Sequence, residues 1–224
     1  CQKNSWMSVP NYRWLLWMVL LAFLPHNAEA QLEEMRLGLH WNPLALVDFY
    51  QGGSLRLGGR LQVAPRYSLL VEGGPYLAGL SYNVGDLTGY NFRAELAYNY
   101  SSWYYWSLSY FYKDHAYSLT DDLLENGQVV DRTYGLQKYV HSIGFRWGRL
   151  RWKHGASWFL DLYGGMGLRW RNVRRDGLAA AELANLQSDS IVYEFLRRSG
   201  QRWSPEFSIG LRLGGILWRK NRLK

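Results

Sequence analysis

Residues 157–171 read Ser-Trp-Phe-Leu-Asp-Leu-Tyr-Gly-Gly-Met-Gly-Leu-Arg-Trp-Arg, and this stretch decides the predicted fold. Every second residue from Trp158 to Trp170 is apolar or glycine, whereas the other parity carries one acid, two arginines and two glycines. Because successive strand side chains point to opposite faces, the pattern predicts a strand with one apolar and one charged face. At ~3.3 Å per residue and a tilt of roughly 40°, the two tryptophans lie about 30 Å apart along a membrane normal. A half-buried strand of a soluble sheet has the same alternation, so this stretch alone does not distinguish a membrane strand from a soluble one.

The amino-acid composition limits the classes of protein to which this chain can belong. Aromatic residues make up 17% of the 224 residues, with 12 Trp and 17 Tyr, as is typical of proteins at a membrane interface. The net charge is +8, but the basic residues are dispersed rather than gathered in a patch, which argues against nucleic acid as a partner. The single cysteine, Cys1, excludes a disulfide framework and a cysteine-based metal site within this sequence.

An export signal is predicted at residues 1–30. Arg13 supplies a positive start, residues 14–24 form an apolar run, and Ala28 and Ala30 give a small-x-small cleavage site. Residues 1–6 precede Met7 and are expected to be extraneous. The run is shorter than the roughly 20 apolar residues of a transmembrane helix. We therefore expect residues 31–224 to form one exported domain.

Seven further segments alternate in the same way as 157–171. The predicted strands cover 35–45, 54–63, 67–80, 88–99, 102–117, 136–148, 157–171 and 206–218. An even number of such strands, joined alternately by short and longer connections, predicts an all-β, eight-stranded antiparallel transmembrane β-barrel. We expect a parity shift at 73–75, because Gly-Gly-Pro favours a bulge. The longer connections are predicted at 81–87, 118–135 and 172–205, and the last contains a short helical stretch at 178–198.

The orientation of the two faces separates a membrane barrel from a soluble ligand-binding barrel of the lipocalin kind, in which the apolar face points inward. Aromatic residues gather where a membrane barrel has its girdles. At the short-turn end these are Trp103, Tyr104, Tyr105, Trp106, Trp147, Trp158 and Trp218, and towards the long-loop end Tyr90, Tyr112, Tyr139, Trp170 and Trp203. The pattern favours the membrane arrangement, with charges inside.

The charged face carries both signs and several glycines, which suits a crowded interior in which charges are paired. The predicted ionic network comprises Arg36, Arg56, Arg60, Glu72, Arg93, Glu95, Lys113, Arg146, Asp161, Arg169 and Arg212. Within it, Glu95 is expected to be a buried anion beside Arg93, with Glu72 and Lys113 on the neighbouring strands. Since an eight-stranded barrel has room only for side chains, we expect a filled interior rather than a diffusion pore.

Three segments carry a resemblance to known proteins: Leu-Gly-Leu-His-Trp-Asn-Pro-Leu-Ala-Leu (37–46), Gly-Gly-Ser-Leu-Arg-Leu-Gly-Gly-Arg-Leu (52–61) and Arg-Tyr-Ser-Leu-Leu-Val-Glu-Gly-Gly (66–74). They are similar to an uncharacterised family of outer-membrane barrels, domain of unknown function 3575. The eight-segment plan resembles the small OmpA- and OmpX-type barrels. The resemblance implies a barrel in the outer membrane of a Gram-negative bacterium and brings no catalytic residue.

Three functions remain open on the sequence. A lipid A-modifying enzyme needs a base beside a nucleophile, and His141 and Ser142 are adjacent, so their side chains point to opposite faces of a strand. A soluble ligand-binding barrel is the second alternative. We expect instead a non-enzymatic outer-membrane protein without a cofactor or bound metal, with a structural or surface-interaction role. Its expected partners are outer-membrane lipid, lipopolysaccharide and a protein at the long loops or periplasmic turns. The candidate lipopolysaccharide contacts are Arg171, Arg174 and Arg175.

Overall fold

The computed structural model describes residues 35–46, 53–78, 84–101, 103–125, 128–151, 157–177 and 200–219. These ranges hold one 3-10 turn, Pro43–Leu46, and nine antiparallel strands. The strands are β1 (Met35–Asn42), β2 (Gly53–Ser54), β3 (Arg56–Ala64), β4 (Tyr67–Ala78), β5 (Val84–Asn99), β6 (Tyr104–Glu125), β7 (Gln128–Arg151), β8 (Trp158–Asp176) and β9 (Gly200–Arg219). The prediction of an all-β antiparallel fold is confirmed.

Two predictions fall outside these ranges: the export signal at 1–30 and the helical stretch at 178–198. Among the residues that the structure does describe, no helix is both long and apolar enough to cross a membrane.

The strands form one sheet that closes into a ring. Its hydrogen-bonded order is β2-β4-β3-β1-β9-β8-β7-β6-β5, and β5 also pairs with β4. β2 and β3 both pair with β4 in one register, since Ser54 lies opposite Tyr76 and Leu57 opposite Gly73. Between them Leu55 donates its N–H to the Pro75 carbonyl at 3.1 Å. Pro75 has no N–H to donate in return, so the ladder is interrupted there and one predicted strand becomes two.

The register shifts steadily around the ring. A path of directly paired residues that starts at Leu213 in β9 returns to β9 at Trp203, ten residues away. On the way it passes Trp41, Leu57, Gly73, Phe92, Tyr112, His141 and Trp170. Since strand number and register shift together set the inclination of the strands, they are tilted by roughly 40° to the ring axis.

The apolar face points outward and the charged face inward. Ile209 is 85% exposed and Phe207 78%, whereas Arg212 on the same strand is completely buried. The same parity holds along β8, where Met166 is exposed and Asp161 is buried. The ring therefore has the reverse of the polarity expected for a soluble ligand-binding barrel.

Apolar side chains also lie inside the ring, in two clusters towards its ends. The first packs near the short connections and consists of Leu70, Ala97, Tyr105, Leu150 and Phe159. The second lies towards the opposite end and consists of Leu119, Tyr134, Leu136 and Val173. Tyr105 is fully buried in the first cluster, so its predicted place in the outer aromatic girdle is wrong. The charged side chains of the interior lie between the two clusters.

Two predicted features differ from the structure. The parity shift at 73–75 is wrong, because β4 and β5 pair without interruption from Tyr67 to Pro75 and both Glu72 and Tyr76 point inward. The loop at 118–135 is also wrong, since β6 and β7 continue as a hairpin whose last pair is Glu125 with Gln128. Paired strands are favoured over a loop there, because the backbone N–H and C=O groups of the two strands form hydrogen bonds with each other.

Candidate functional site

Arg212 is the centre of a buried ionic network. Its Nε donates to Glu72 Oε2 at 3.0 Å and its Nη1 to Asp161 Oδ2 at 3.0 Å. Its Nη2 donates to Glu95 Oε1. One guanidinium thus binds three carboxylates, two of which come from β4 and β5 across the ring. The arrangement uses the planar fork of arginine, which lysine does not have.

Each of the three carboxylates also has an arginine of its own. The pairs are Arg93 with Glu72 (Nη1–Oε1, 2.7 Å), Arg146 with Glu95 (Nη1–Oε1, 2.7 Å) and Arg60 with Asp161 (Nη1–Oδ2, 3.9 Å). Four guanidinium groups therefore surround three carboxylates. Burial of a charge is costly unless it is paired and hydrogen-bonded, and these contacts provide that compensation.

Two tyrosines complete the network. Tyr105 donates its hydroxyl hydrogen to the Asp161 carboxylate, with oxygen–oxygen distances of 2.9 and 3.0 Å. The Tyr163 oxygen accepts from Arg93 Nη1 at 3.1 Å and from the Asn42 amide at 2.9 Å. The Tyr163 ring centre also lies 4.1 Å from the Arg212 Cζ. Both tyrosines are absent from the predicted network, although the alternation along 157–171 puts Tyr163 on the charged face.

Glycine residues make the space that these side chains occupy. The Tyr163 ring lies over Gly210 and the Tyr105 ring over Gly148, so that a Cβ atom at either glycine would collide with the ring. Each glycine is the direct ladder partner of its tyrosine. A Cβ at Gly165 would lie 2.6 Å from the Arg146 Cγ. Three inward glycines are thus explained by two tyrosine rings and one arginine.

The other predicted network residues lie elsewhere. Arg169 pairs with Glu206 at 3.6 Å and is partly exposed. The Arg56 Cζ lies 5.1 Å from the Phe111 ring centre, and the Lys113 Nζ 4.8 Å from that of Tyr76. The side chain of Arg36 is outside the described residues.

The predicted surroundings of Glu95 need correction. Its arginine partners are Arg146 and Arg212, and Ser107 also donates to it at 3.2 Å. Arg93 binds Glu72 instead. The prediction considered only partners on neighbouring strands. Because the strands are tilted, long side chains from more distant strands also reach Glu95 across the ring.

The three histidines in the described ranges, His40, His115 and His141, have separate surroundings. His40 Nε2 lies 3.4 Å from Glu72 Oε2, inside the network. His115 lies between the rings of Tyr76 and Tyr117 rather than near an acid of the network.

His141 points outward, where its Nδ1 is 2.8 Å from the Tyr110 hydroxyl. Ser142 is buried on the inward face, so the two adjacent residues are separated by the sheet. Within the described ranges, no group of three or more His, Cys, Asp or Glu residues could hold a metal ion.

The three candidate lipopolysaccharide contacts divide between the two faces. Arg171 is buried, and Arg175, on the same parity, places its Cζ 5.8 Å from the inward ring of Tyr134. Arg174 is exposed on the outer face, with its Cζ 5.9 Å from the ring centre of Tyr139. The structure therefore leaves Arg174 as the one candidate of the three that points away from the interior.

Comparisons with known proteins do not assign this arrangement to a class. The chain matches no protein-family model, no curated protein and no solved structure.

Proposed function

We propose that this protein is an integral outer-membrane β-barrel with a filled ionic interior and a structural or surface-interaction role. The observation that carries the proposal is the outward apolar face: large side chains such as Phe207, Ile209 and Met166 are exposed around a charged interior. Contiguous exposed apolar surface of this extent is costly in water and favourable in lipid. In this antiparallel ring every strand except the two-residue β2 pairs with two neighbours, which meets the requirement that backbone groups be paired inside a bilayer.

Aromatic residues at the two ends of the outer face support this proposal. Trp158 and Trp170 mark the ends of the apolar face on β8, twelve positions apart, which corresponds to about 30 Å along the ring axis. Other exposed aromatic residues near the short connections are Trp103, Trp147 and Trp218, and those towards the opposite end include Tyr90 and Trp203. Rings at both interfaces are typical of membrane barrels.

The surface-interaction role rests on the β6–β7 hairpin. β6 pairs with β5 as far as Leu119, and β7 pairs with β8 as far as Gly135. Beyond these residues, and within the ranges that the structure describes, β6 and β7 pair only with each other, so neither outer edge of the hairpin has a neighbouring strand there. Open strand edges can pair with an extended segment of another protein. We propose this hairpin as the contact for a protein partner.

The membrane environment can be tested at Ile209. The Ile209→Lys substitution is expected to lower the free energy of unfolding in phospholipid vesicles by about 2–4 kcal/mol, because it places a charge near the bilayer midplane. Asp131→Lys, on the exposed hairpin, is the control and should have little effect. Urea titration followed by heat-modifiable gel migration measures both. If Ile209→Lys is as stable as the native chain, or the native chain is recovered as a soluble protein, the membrane proposal is wrong.

The filled interior predicts the conductance of the inserted protein. Because the ionic network and the two apolar clusters occupy the interior, planar-bilayer recordings should show no large, stable current. A steady current of porin size would contradict the filled interior.

A further inference from the structure

A stacked aromatic platform lies on the outer face, at the end where β5 connects to β6. The rings of Tyr104 and Trp147 stack with centres 5.7 Å apart and planes 5° from parallel. Tyr100 also stacks with Tyr104, at 6.2 Å and 13°. The indole N–H of Trp147 donates to the Tyr100 hydroxyl oxygen at 2.7 Å. The three rings therefore hold one another in a fixed arrangement.

Arg149 lies on this platform. It is the direct ladder partner of Tyr104, and its Cζ is 5.3 Å from the centre of the Tyr104 ring. A guanidinium group that stacks on an aromatic ring keeps the N–H groups at its edge available to another ligand. The stacking also reduces the side-chain freedom that would be lost on binding.

The guanidinium group has no anionic partner in the described part of the chain. Arg149 forms no ion pair there, and its Nε is shielded from solvent without a hydrogen-bond acceptor. Arg151 follows two residues later on the same face and is exposed. The sequence from 149 to 153 contains three basic residues and no acid. Arg149 and Arg151 therefore place a local positive charge beside the aromatic platform. We call this end of the ring the Arg149 rim.

We propose that Arg149 and Arg151, supported by the aromatic platform, bind the headgroup phosphate of an anionic glycerophospholipid. The inference rests on the proposed insertion in a membrane, which places these residues at the depth of the headgroups. Arginine binds phosphate through paired N–H groups, and aromatic rings favour this interfacial depth. A zwitterionic headgroup would bring its own cation towards the two arginines, so the site favours a lipid with net negative charge.

The opposite rim offers a matched comparison. Arg174 also stacks on an outward tyrosine, Tyr139, at 5.9 Å. However, Asp114 is the ladder partner of Tyr139, and Asp176 lies two residues beyond Arg174 on the same parity. The carboxylates offset the charge of Arg174 at that rim. Selectivity for an anionic lipid is therefore a property of the Arg149 rim.

Native mass spectrometry of the full chain tests the inference. The protein is inserted in bilayers of equal parts phosphatidylglycerol and phosphatidylcholine, and the lipids retained after release are counted. The native protein should retain phosphatidylglycerol in preference to phosphatidylcholine. Each of Arg149→Gln and Arg151→Gln should lower that preference by about fivefold, which corresponds to about 1 kcal/mol for each basic residue near the surface. Arg174→Gln should leave it unchanged.

Heat-modifiable migration first establishes that each variant is folded in the bilayer. If the native chain inserts but retains the two lipids equally, or if Arg149→Gln and Arg151→Gln keep the native preference, the lipid site is wrong while the membrane proposal stands. If the native chain does not insert at all, the membrane proposal fails and the lipid site fails with it.

Discussion

Replacing Arg212 by methionine is expected to lower the free energy of unfolding by about 3–5 kcal/mol, the typical cost of removing one partner of a buried ion pair. Arg212 binds Glu72, Glu95 and Asp161, and all three carboxylates are almost completely buried. Methionine fills similar volume, so the expected loss comes from the charge that is left uncompensated rather than from a cavity. Urea unfolding of the refolded protein in detergent or vesicles measures the change.

The control for this experiment is Arg169→Met. Arg169 pairs with Glu206 at 3.6 Å, and the two side chains are 25% and 8% exposed. Because this contact is longer, nearer to solvent and involves one carboxylate rather than three, the expected loss is smaller than that for Arg212→Met. Equal, small losses in the two variants would show that the network does not stabilise the fold in the way its burial implies.

The second large effect is expected at Gly210. A methyl group there would overlap the Tyr163 ring, and that ring is fixed by hydrogen bonds from Asn42 and Arg93 and by its contact with Arg212. Gly210→Ala should therefore destabilise the protein by about 1–3 kcal/mol, the usual cost of overpacking. The unfolding midpoint in urea is the measurement.

Gly164→Ala provides the matched control. Gly164 lies on the outer face of β8, where an added Cβ would meet only the Ser208 carbonyl oxygen, at 3.8 Å. Alanine there should be neutral or slightly stabilising, because it reduces the backbone freedom of the unfolded chain. If Gly210→Ala destabilises the protein no more than Gly164→Ala does, then Tyr163 does not pack closely against Gly210.

The alternation of residues was sufficient to predict which side chains face inward. Asp161, Glu95 and Arg212 were assigned to the buried face from parity alone, because the period of a strand is two residues. The identity of the partners was not predictable in this way. Arg212 in β9 meets Glu95 in β5 because the register shift brings distant strand positions to one height, and that shift depends on every ladder of the ring.

The hairpin was missed although a local signal for it exists. The connection between Glu125 and Gln128 is Asn126-Gly127, the dipeptide most typical of a two-residue hairpin. The nearby residues Asp121 and Asp122 give the opposite signal, because aspartate is depleted in strands. On a hairpin outside the ring there is no apolar environment to exclude such residues.

The position of Arg212 in the last strand of the chain has a consequence for the order of assembly. Glu72, Glu95 and Asp161 belong to β4, β5 and β8, and their separate partners Arg93, Arg146 and Arg60 also lie outside β9. An assembly that lacks β9 therefore keeps these three pairs but lacks the one guanidinium group that bonds to all three carboxylates. β9 brings that group as its ladders with β1 and β8 close the ring, so closure of the backbone ladders and completion of the buried network are one event.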